Sequence, residues 1–246
     1  EMRGIGKAFV GVQVLSDVRF DLRRGEVHVL AGENGAGKST LIKILAGVYN
    51  DFEGTIELSG GSVRFRSPHE AARHGIAVIY QEMSLVGSMS IVDNIFLGRE
   101  SVHGGVWVDS KAGMRKGADL LHEVGVDVDL TRRAEEYPVS IQQMIEIAKA
   151  LSINANIIVM DEPTSSLSDV EADRLFAIIG VLKDRGCGIV YITHRMEEIY
   201  RIADRITVLR DGKYIGTAAA SDLSQADLVR WMVGREVNQQ FPRRAI

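Results

Sequence analysis

The stretch Val27-His28-Val29-Leu30-Ala31-Gly32-Glu33-Asn34-Gly35-Ala36-Gly37-Lys38-Ser39-Thr40-Leu41 decides the fold. Val27 to Ala31 is a short apolar run that ends in a glycine-rich turn, the pattern of a strand buried on both faces. Lys38 to Leu45 carries apolar residues at helical spacing and is expected to follow as a helix. Between them, Gly32 to Ser39 fits G-x-x-x-x-G-K-[ST] in full. Glycines let such a loop curl until successive N–H groups face phosphate oxygens, and the following helix adds its positive end. Lys38 is then placed to reach the β- and γ-phosphates, and Ser39 to ligate Mg²⁺. Gly32, Asn34, Gly35, Ala36, Gly37, Lys38, Ser39 and Thr40 are the candidate nucleotide-binding residues. The bland alternative is a chance glycine turn, and the strand before it and helix after it weigh against that.

Two segments further on, Thr55–Leu58 and Ser62–Phe65, read as antiparallel strands around a Gly60–Gly61 turn. Ile76–Tyr80 reads as another buried strand. From Glu82 to about Leu151 the chain turns polar-amphipathic and helical, with a loop marked by Gly104–Gly105. Strands and helices then alternate: Ile157–Met160, Val170–Lys183, Gly188–Ile192, Arg195–Arg201, Arg205–Leu209 and Ser224–Val233. Alternation of this kind implies an α/β fold with a mostly parallel sheet. The expected division is an ATP-binding α/β core over residues 1–81 and 152–246, with a small antiparallel β part, interrupted by a helical insert over 82–151.

The 246 residues suffice for a real core, and 46% apolar with 25% charged residues is ordinary globular composition. A formal net charge of −4 provides no general basic field for nucleic acid or an anionic membrane. The single cysteine, Cys187, forms no internal disulfide and reads as a small residue ahead of an apolar run. No stretch approaches the roughly 20 apolar residues that span a bilayer, so any membrane part belongs to other chains. The first residue is Glu rather than Met, and the chain is expected to be a piece of a longer one.

Three more strand ends carry chemistry. Ile157-Ile158-Val159-Met160-Asp161-Glu162 is an apolar run closed by two acids. A buried strand ending in Asp delivers a carboxylate to the carboxyl edge of a sheet, where the phosphate loop is also expected. Asp161 is suited to Mg²⁺, directly or through water, and Glu162 to orienting or deprotonating the attacking water. Alone, the pair would read as a solvated strand end before Pro163. Tyr191-Ile192-Thr193-His194 repeats the pattern, and the His194 imidazole is suited to a γ-phosphate. Gln81, just past Ile76–Tyr80, is in an equivalent position. Convergence of four such strand ends on one edge is more than chance accounts for.

The order phosphate loop, Gln after a strand, helical insert, Asp-Glu-Pro-Thr and strand-end His resembles the ATPase domain of ABC transporters, a P-loop NTPase fold, from about Lys7 to about Arg235. The resemblance implies that Gln81 contacts Mg²⁺ and water and senses a transmembrane partner. It makes Glu162 the catalytic base and His194 the switch histidine, with ATP and Mg²⁺ as cofactors. Phe9 falls where the family stacks an aromatic ring on adenine, though it fits a core position of a first strand equally well. Tyr80-Gln81-Glu82, Gln142 to Leu151 and Thr193 to Ile199 resemble one branch, the ATPases of importers for monosaccharides such as ribose, galactose or xylose. That branch implies a second ABC ATPase domain in tandem or as dimer partner, transmembrane permease subunits, and a separate substrate-binding protein. It implies no nucleic acid, and places the chain peripherally on the cytoplasmic face of the inner membrane. Met232-Val233-Gly234-Arg235-Glu236 resembles the close of the first of two such domains.

One motif departs from the family. Where L-S-G-G-Q is expected, this chain has Tyr137-Pro138-Val139-Ser140-Ile141. Helix N-terminus chemistry can survive there, because Ser140 is a good N-cap and is itself suited to phosphate. A second register aligns Val139 to Gln143 with L-S-x-x-Q and moves the serine two residues. Ser168 also stands where many members have Asp. The expectation is that the site built by this chain's own loop, Asp161, Glu162 and His194 hydrolyses ATP, and that the site completed by Tyr137–Ile141 is weaker. Competing readings are a non-transport ABC ATPase, a P-loop kinase or GTPase, and an isolated nucleotide-binding half with little activity. The first more often shows a basic surface or long inserts, and the second leaves Gln81, Glu162 and His194 unexplained.

Overall fold

The computed structural model describes residues 1–100, 102–103, 107–153 and 155–234. The expected Gly104–Gly105 loop and the Arg235-Glu236 pair lie outside these residues. The chain forms two compact units. One is made of Glu1–Ala71 with the segment from Gly188 onward, and the other of Ala72–Cys187.

The first unit begins with strands β1 (Met2–Phe9), β2 (Val12–Phe20) and β3 (Val27–Ala31). Helix α1 (Lys38–Leu45) and strands β4 (Glu53–Leu58) and β5 (Gly61–Val63) follow. Strands β2-β1-β4-β5 form an antiparallel sheet in that order. Its second hairpin turns on Ser59 and Gly60, both at positive φ, with Leu58 paired to Gly61. The turn therefore lies one residue earlier than the Gly60–Gly61 expected, because a two-residue turn of this hand needs two left-handed residues in succession. Helix α2 (Pro68–Arg73) crosses the border between the units.

The second unit holds β6 (Ile76–Ile79), α3 (Ile91–Phe96), β7 (Val102–His103), β8 (Trp107–Val108), α4 (Ser110–Glu123), α5 (Val139–Leu151), β9 (Ile157–Asp161) and α6 (Asp169–Asp184). Strands β6 and β9 pair in parallel, Ile76 opposite Ile157 through Ile79 opposite Met160. Its last residue, Cys187, is buried, and burial pushes the thiol pKa up to about 11. The thiol is inert at neutral pH and fills space, as expected.

The first unit resumes with β10 (Gly188–Ile192), α7 (Met196–Ile202), β11 (Arg205–Arg210), β12 (Lys213–Ala219) and α8 (Gln225–Val233). Strand β3 pairs in parallel with β10 on one side and β11 on the other, and β12 adds antiparallel to β11. All five residues of β3 and all five of β10 are buried, which explains why both runs lack alternation. His28 is the polar residue of β3, and its ring faces polar neighbours of the strand. Its Nε2 lies 2.7 Å from Thr207 Oγ1, which lies 2.7 Å from Thr217 Oγ1. Its Nδ1 faces Glu26 Oε1 at 3.5 Å. At the start of the strand, Val27 N–H donates to Asp204 Oδ2 at 2.8 Å. Strand β3 is thus anchored along its length before it delivers the loop.

Candidate functional site

In the first unit, the loop between β3 and α1 is shaped by glycines with no alternative. Gly32 has φ 152°, and a Cβ there would run into the Leu209 carbonyl oxygen; Gly37 has φ 98°, and a Cβ there would meet Leu15 Cδ2. Both positions combine a backbone that L side chains rarely adopt with a close approach. The loop is pinned by Ala36 N–H donating to the Glu33 carbonyl at 3.1 Å and Gly212 N–H donating to the Ala36 carbonyl at 3.2 Å. Lys38 is buried, and its ammonium donates to the carbonyls of Gly32 at 2.8 Å and Glu33 at 3.0 Å. A cation is therefore held inside the curl of the loop. Glu33, Asn34, Gly35 and Ser39 are exposed and Thr40 half-buried, while Gly32, Ala36 and Gly37 are buried.

His194 leaves the same end of the sheet as this loop. Ile192 pairs with Leu30, so His194 and Gly32 each lie two residues beyond a paired level on adjacent parallel strands. The exposed imidazole sits on a turn gripped by Glu198, a buried acid of α7. Glu198 Oε2 accepts from Tyr191 OH at 3.0 Å and Thr193 Oγ1 at 2.9 Å, and Oε1 pairs with Arg195 Nη1 at 2.8 Å. Sequence reasoning passed over Glu198. The available signal was an acid four residues past the histidine, on the face of α7 that also buries Ile199.

Phe9 is half-buried at the end of β1, so it occupies a first strand without being a core residue. Its ring meets Tyr49 edge-on with centroids 5.1 Å apart, and the Lys7 ammonium lies 4.8 Å from the Phe9 centroid. Lys7 is itself buried and pairs with Asp51 Oδ2 at 2.6 Å.

In the second unit, β9 ends on Asp161 and the chain continues through Glu162 at φ 49°. A left-handed glutamate costs on the order of 1–3 kcal/mol, and such strain concentrates at functional sites. Gln81, at the end of the neighbouring β6, donates from Nε2 to Glu162 Oε2 at 3.4 Å. The structure thus brings Gln81, Asp161 and Glu162 together. The Tyr80 hydroxyl pKa is raised by burial and by the Asp161 charge.

Ser140 departs from expectation. Helix α5 begins at Val139 with Pro138 in the cap position, at φ −55°, and no side chain caps it. Proline's fixed φ suits a helix entry, so the helix starts before Ser140 can serve as cap. Ser140 is instead its second residue, and its hydroxyl bonds to Glu171. The Ser168 N–H, the Ser140 hydroxyl and the Ser168 hydroxyl hold the Glu171 carboxyl below its usual range. Ser168 and Glu171 form a capping box on α6, with Ser168 N–H donating to Glu171 Oε2 at 2.9 Å. Ser168 therefore has a structural reason to be there.

A family model described as ABC transporter matches residues 15–165, spanning β2 through the turn after β9. The chain belongs to the ABC transporter family. It is 49% identical over 243 residues to a putative ribose/galactose/methyl galactoside import ATP-binding protein of Agrobacterium fabrum, covering 99% of the chain and 47% of the relative. It is 48% identical over 242 residues to the galactose/methyl galactoside import ATP-binding protein of Escherichia coli K12, covering 98% of the chain and 48% of the relative. The chain thus spans about half the length of the curated relatives it matches. Among solved structures it resembles the ADP conformation of an ATP-binding cassette of an ABC transporter, with TM-score 0.80, 25% identity, and 95% and 98% of the two chains covered. The α/β fold of this ABC family member, with its mixed and antiparallel sheets, is the fold expected from the sequence.

Proposed function

We propose that this chain binds and hydrolyses ATP to drive an importer of monosaccharides. The observation that carries the reading is the buried Lys38 ammonium held inside a loop whose Gly32 and Gly37 cannot be replaced without collision. That arrangement presents N–H groups and a cation to one anion, which is the recognition a triphosphate requires. The relatives named as ribose or galactose import ATP-binding proteins support a pentose or hexose as cargo.

In this reading Lys38 and the N–H groups of Gly35 to Ser39 stabilise charge on the β- and γ-phosphates, with Gly32, Asn34, Ala36 and Thr40 shaping or lining the cradle. Glu162 takes a proton from water as its oxygen attacks the γ-phosphorus and the bond to ADP breaks. Gln81, bonded to Glu162, orients that water, and His194 hydrogen-bonds the γ-phosphate. Phe9 stacks on adenine, and Ser140 serves a nucleotide bound by a second ABC ATPase domain. Ser39, Asp161 and Gln81 would hold Mg²⁺. All three are hard oxygen donors, and the described residues contain no cluster of three His, Cys, Asp or Glu. That set fits an ion that takes most of its ligands from phosphate and water. When bound, it would neutralise phosphate charge.

Residues 82–151 act as the insert that meets the second domain, and 1–81 with 152–246 as the ATP-binding core. Among the described residues no helix is long and apolar enough to cross a membrane. Permease subunits therefore supply the crossing, a separate substrate-binding protein delivers the sugar, and the chain works at the cytoplasmic face. Weak turnover at the site completed by Tyr137–Ile141 is favoured by Pro138 in the cap position and by the Ser140–Glu171 bond.

The test is Glu162→Gln. It should bind MgATP as wild type does and lose turnover by about 10²- to 10⁴-fold. Hydrolysis at the wild-type rate would remove Glu162 as base.

A further inference from the structure

The loop that leaves Gln81 is held by two buried side chains that the ATPase reading does not use. Between Gln81 and Ser90 the chain has no regular structure, and Gln81, Glu82, Ser84 and Val86 are exposed. From one side Asn94 of α3, fully buried, accepts from Val86 N–H at 2.8 Å and donates to the carbonyls of Val86 at 3.0 Å and Ser90 at 3.0 Å. From the other side Glu146 of α5, only 4% exposed, takes hold of Ser84. Its Oε1 accepts from Ser84 N–H at 2.7 Å and from Ser84 Oγ at 3.0 Å, and its Oε2 lies 3.2 Å from the same hydroxyl. One helical turn on, Lys149 Nζ reaches Ser84 Oγ at 3.4 Å.

A buried carboxylate is a poor choice for stability alone, since an apolar residue of similar size commonly does as well or better. Here the carboxylate is directed at an exposed loop residue three positions after Gln81. It also sits on the helix that starts at Val139 and carries Ser140. Glu146 follows Ser140 by six residues, about 9 Å along the axis of one continuous helix. A displacement of Ser84 is therefore applied to the body of α5, and a regular helix transmits it to its own first turn.

We propose that Glu146 is a positioning residue that couples the loop after Gln81 to the first turn of α5. The importance of that coupling for transport rests on the roles proposed above for Gln81 and for the start of α5. The wiring itself is a property of the second unit.

Hydrogen exchange on the whole chain tests it, with wild type compared to Ser84→Ala, Ser84→Thr and Glu146→Gln and melting recorded in parallel. Ser84→Ala removes the hydroxyl bonds and leaves α5 chemically unchanged, so an effect on residues 139–142 must pass through the contacts of Ser84 with Glu146 and Lys149, and Glu146→Gln reports the share of the first. We expect about tenfold faster exchange at Ser84–Val86 and at Ile141–Gln142 in Ser84→Ala and Glu146→Gln. We expect recovery in Ser84→Thr, and wild-type exchange in β9 and α4 throughout. Wild-type exchange at Ile141–Gln142 in Ser84→Ala would overturn the proposal. A uniform rise across the second unit with a matching fall in melting temperature would also overturn it, because Glu146 would then be a structural prop only. No nucleotide is needed, so failure here is separate from failure of the ATPase reading, which the turnover of Glu162→Gln tests.

Discussion

The loop that opens α1 and the turn that opens α5 both start a helix without a side-chain cap, whereas α3, α4, α6 and α8 start on Ser90, Asp109, Ser168 and Ser224, each accepting a backbone N–H. Helix α7, which follows His194, starts on Arg195 and is likewise uncapped by a side chain. An N-cap is worth about 1 kcal/mol, so three helices among the described residues forgo it, and they are the three that begin at candidate site segments. The two starts then differ in what surrounds them. At α1 a buried lysine and positive-φ glycines make surroundings suited to an anion. At α5 the entry is a proline and the nearest hydroxyl is bonded to the acid Glu171. Omitting a cap makes a helix end available, and the neighbours decide whether an anion is welcome there.

The sharpest way to break this contrast is Lys38→Ala, which removes the cation from the α1 end. MgATP turnover should fall by at least about 10³-fold, a loss on the scale of a key electrostatic group. Turnover within tenfold of wild type would mean that the loop alone makes the site. Next in size is Gly32→Ala, whose methyl group meets the Leu209 carbonyl oxygen. Thermal unfolding should show a loss of roughly 2–4 kcal/mol, with α8 and the antiparallel sheet keeping their secondary structure. An unchanged melting temperature would show that β11 yields easily.

Rebuilding the α5 start as the family's L-S-G-G-Q, through Tyr137→Leu, Pro138→Ser, Val139→Gly, Ser140→Gly and Ile141→Gln, should raise turnover several-fold in a tandem protein, of the order of one recovered charge-assisted hydrogen bond. Unchanged turnover would show that the natural stretch already serves. The smallest effect concerns acid stability. Arg205 donates to both Asp21 oxygens at 2.8 Å, and this hydrogen bonding holds the Asp21 pKa below its usual value. A depressed carboxylate contributes stability that is present above the unfolded pKa near 4 and is lost as pH falls through the folded value. Asp21→Asn should flatten that acid limb by less than about 1 kcal/mol while leaving nucleotide affinity alone. A variant with the wild-type pH dependence would assign the limb to other carboxylates, Glu26 first.

The strand-loop-helix around Gly32 was legible because every level agrees there: an apolar run, glycines where only glycine fits, and a lysine at the helix start. Helix α1 was placed at its true limits for that reason. The first hairpin was not legible as a pair of strands, since Gly4, Gly6, Gly11 and left-handed Val10 and Asp17 interrupt its alternation, and the register between β1 and β2 shifts repeatedly. Strand β12 was missed because Lys213–Ala219 has only Tyr214 and Ile215 as large apolar residues, side by side rather than alternating, and is part-exposed at a sheet edge. The start of α5 was placed too late because Ser140 is a strong capping type, while the proline two residues earlier already fixes a helix-ready backbone. Buried acids such as Glu146 and Glu198 stayed hidden, since a glutamate on a helix is usually a solvated one.

Glu162 has one further consequence. At φ 49° it occupies a conformation that glycine or asparagine would adopt at lower cost. A library of variants sorted for thermal survival alone should therefore drift toward Gly or Asn at this position and lose the carboxylate. The same library sorted for ATP turnover should return to Glu. That pair of outcomes would mark Glu162 as a residue kept for the chemistry proposed above at the expense of durability.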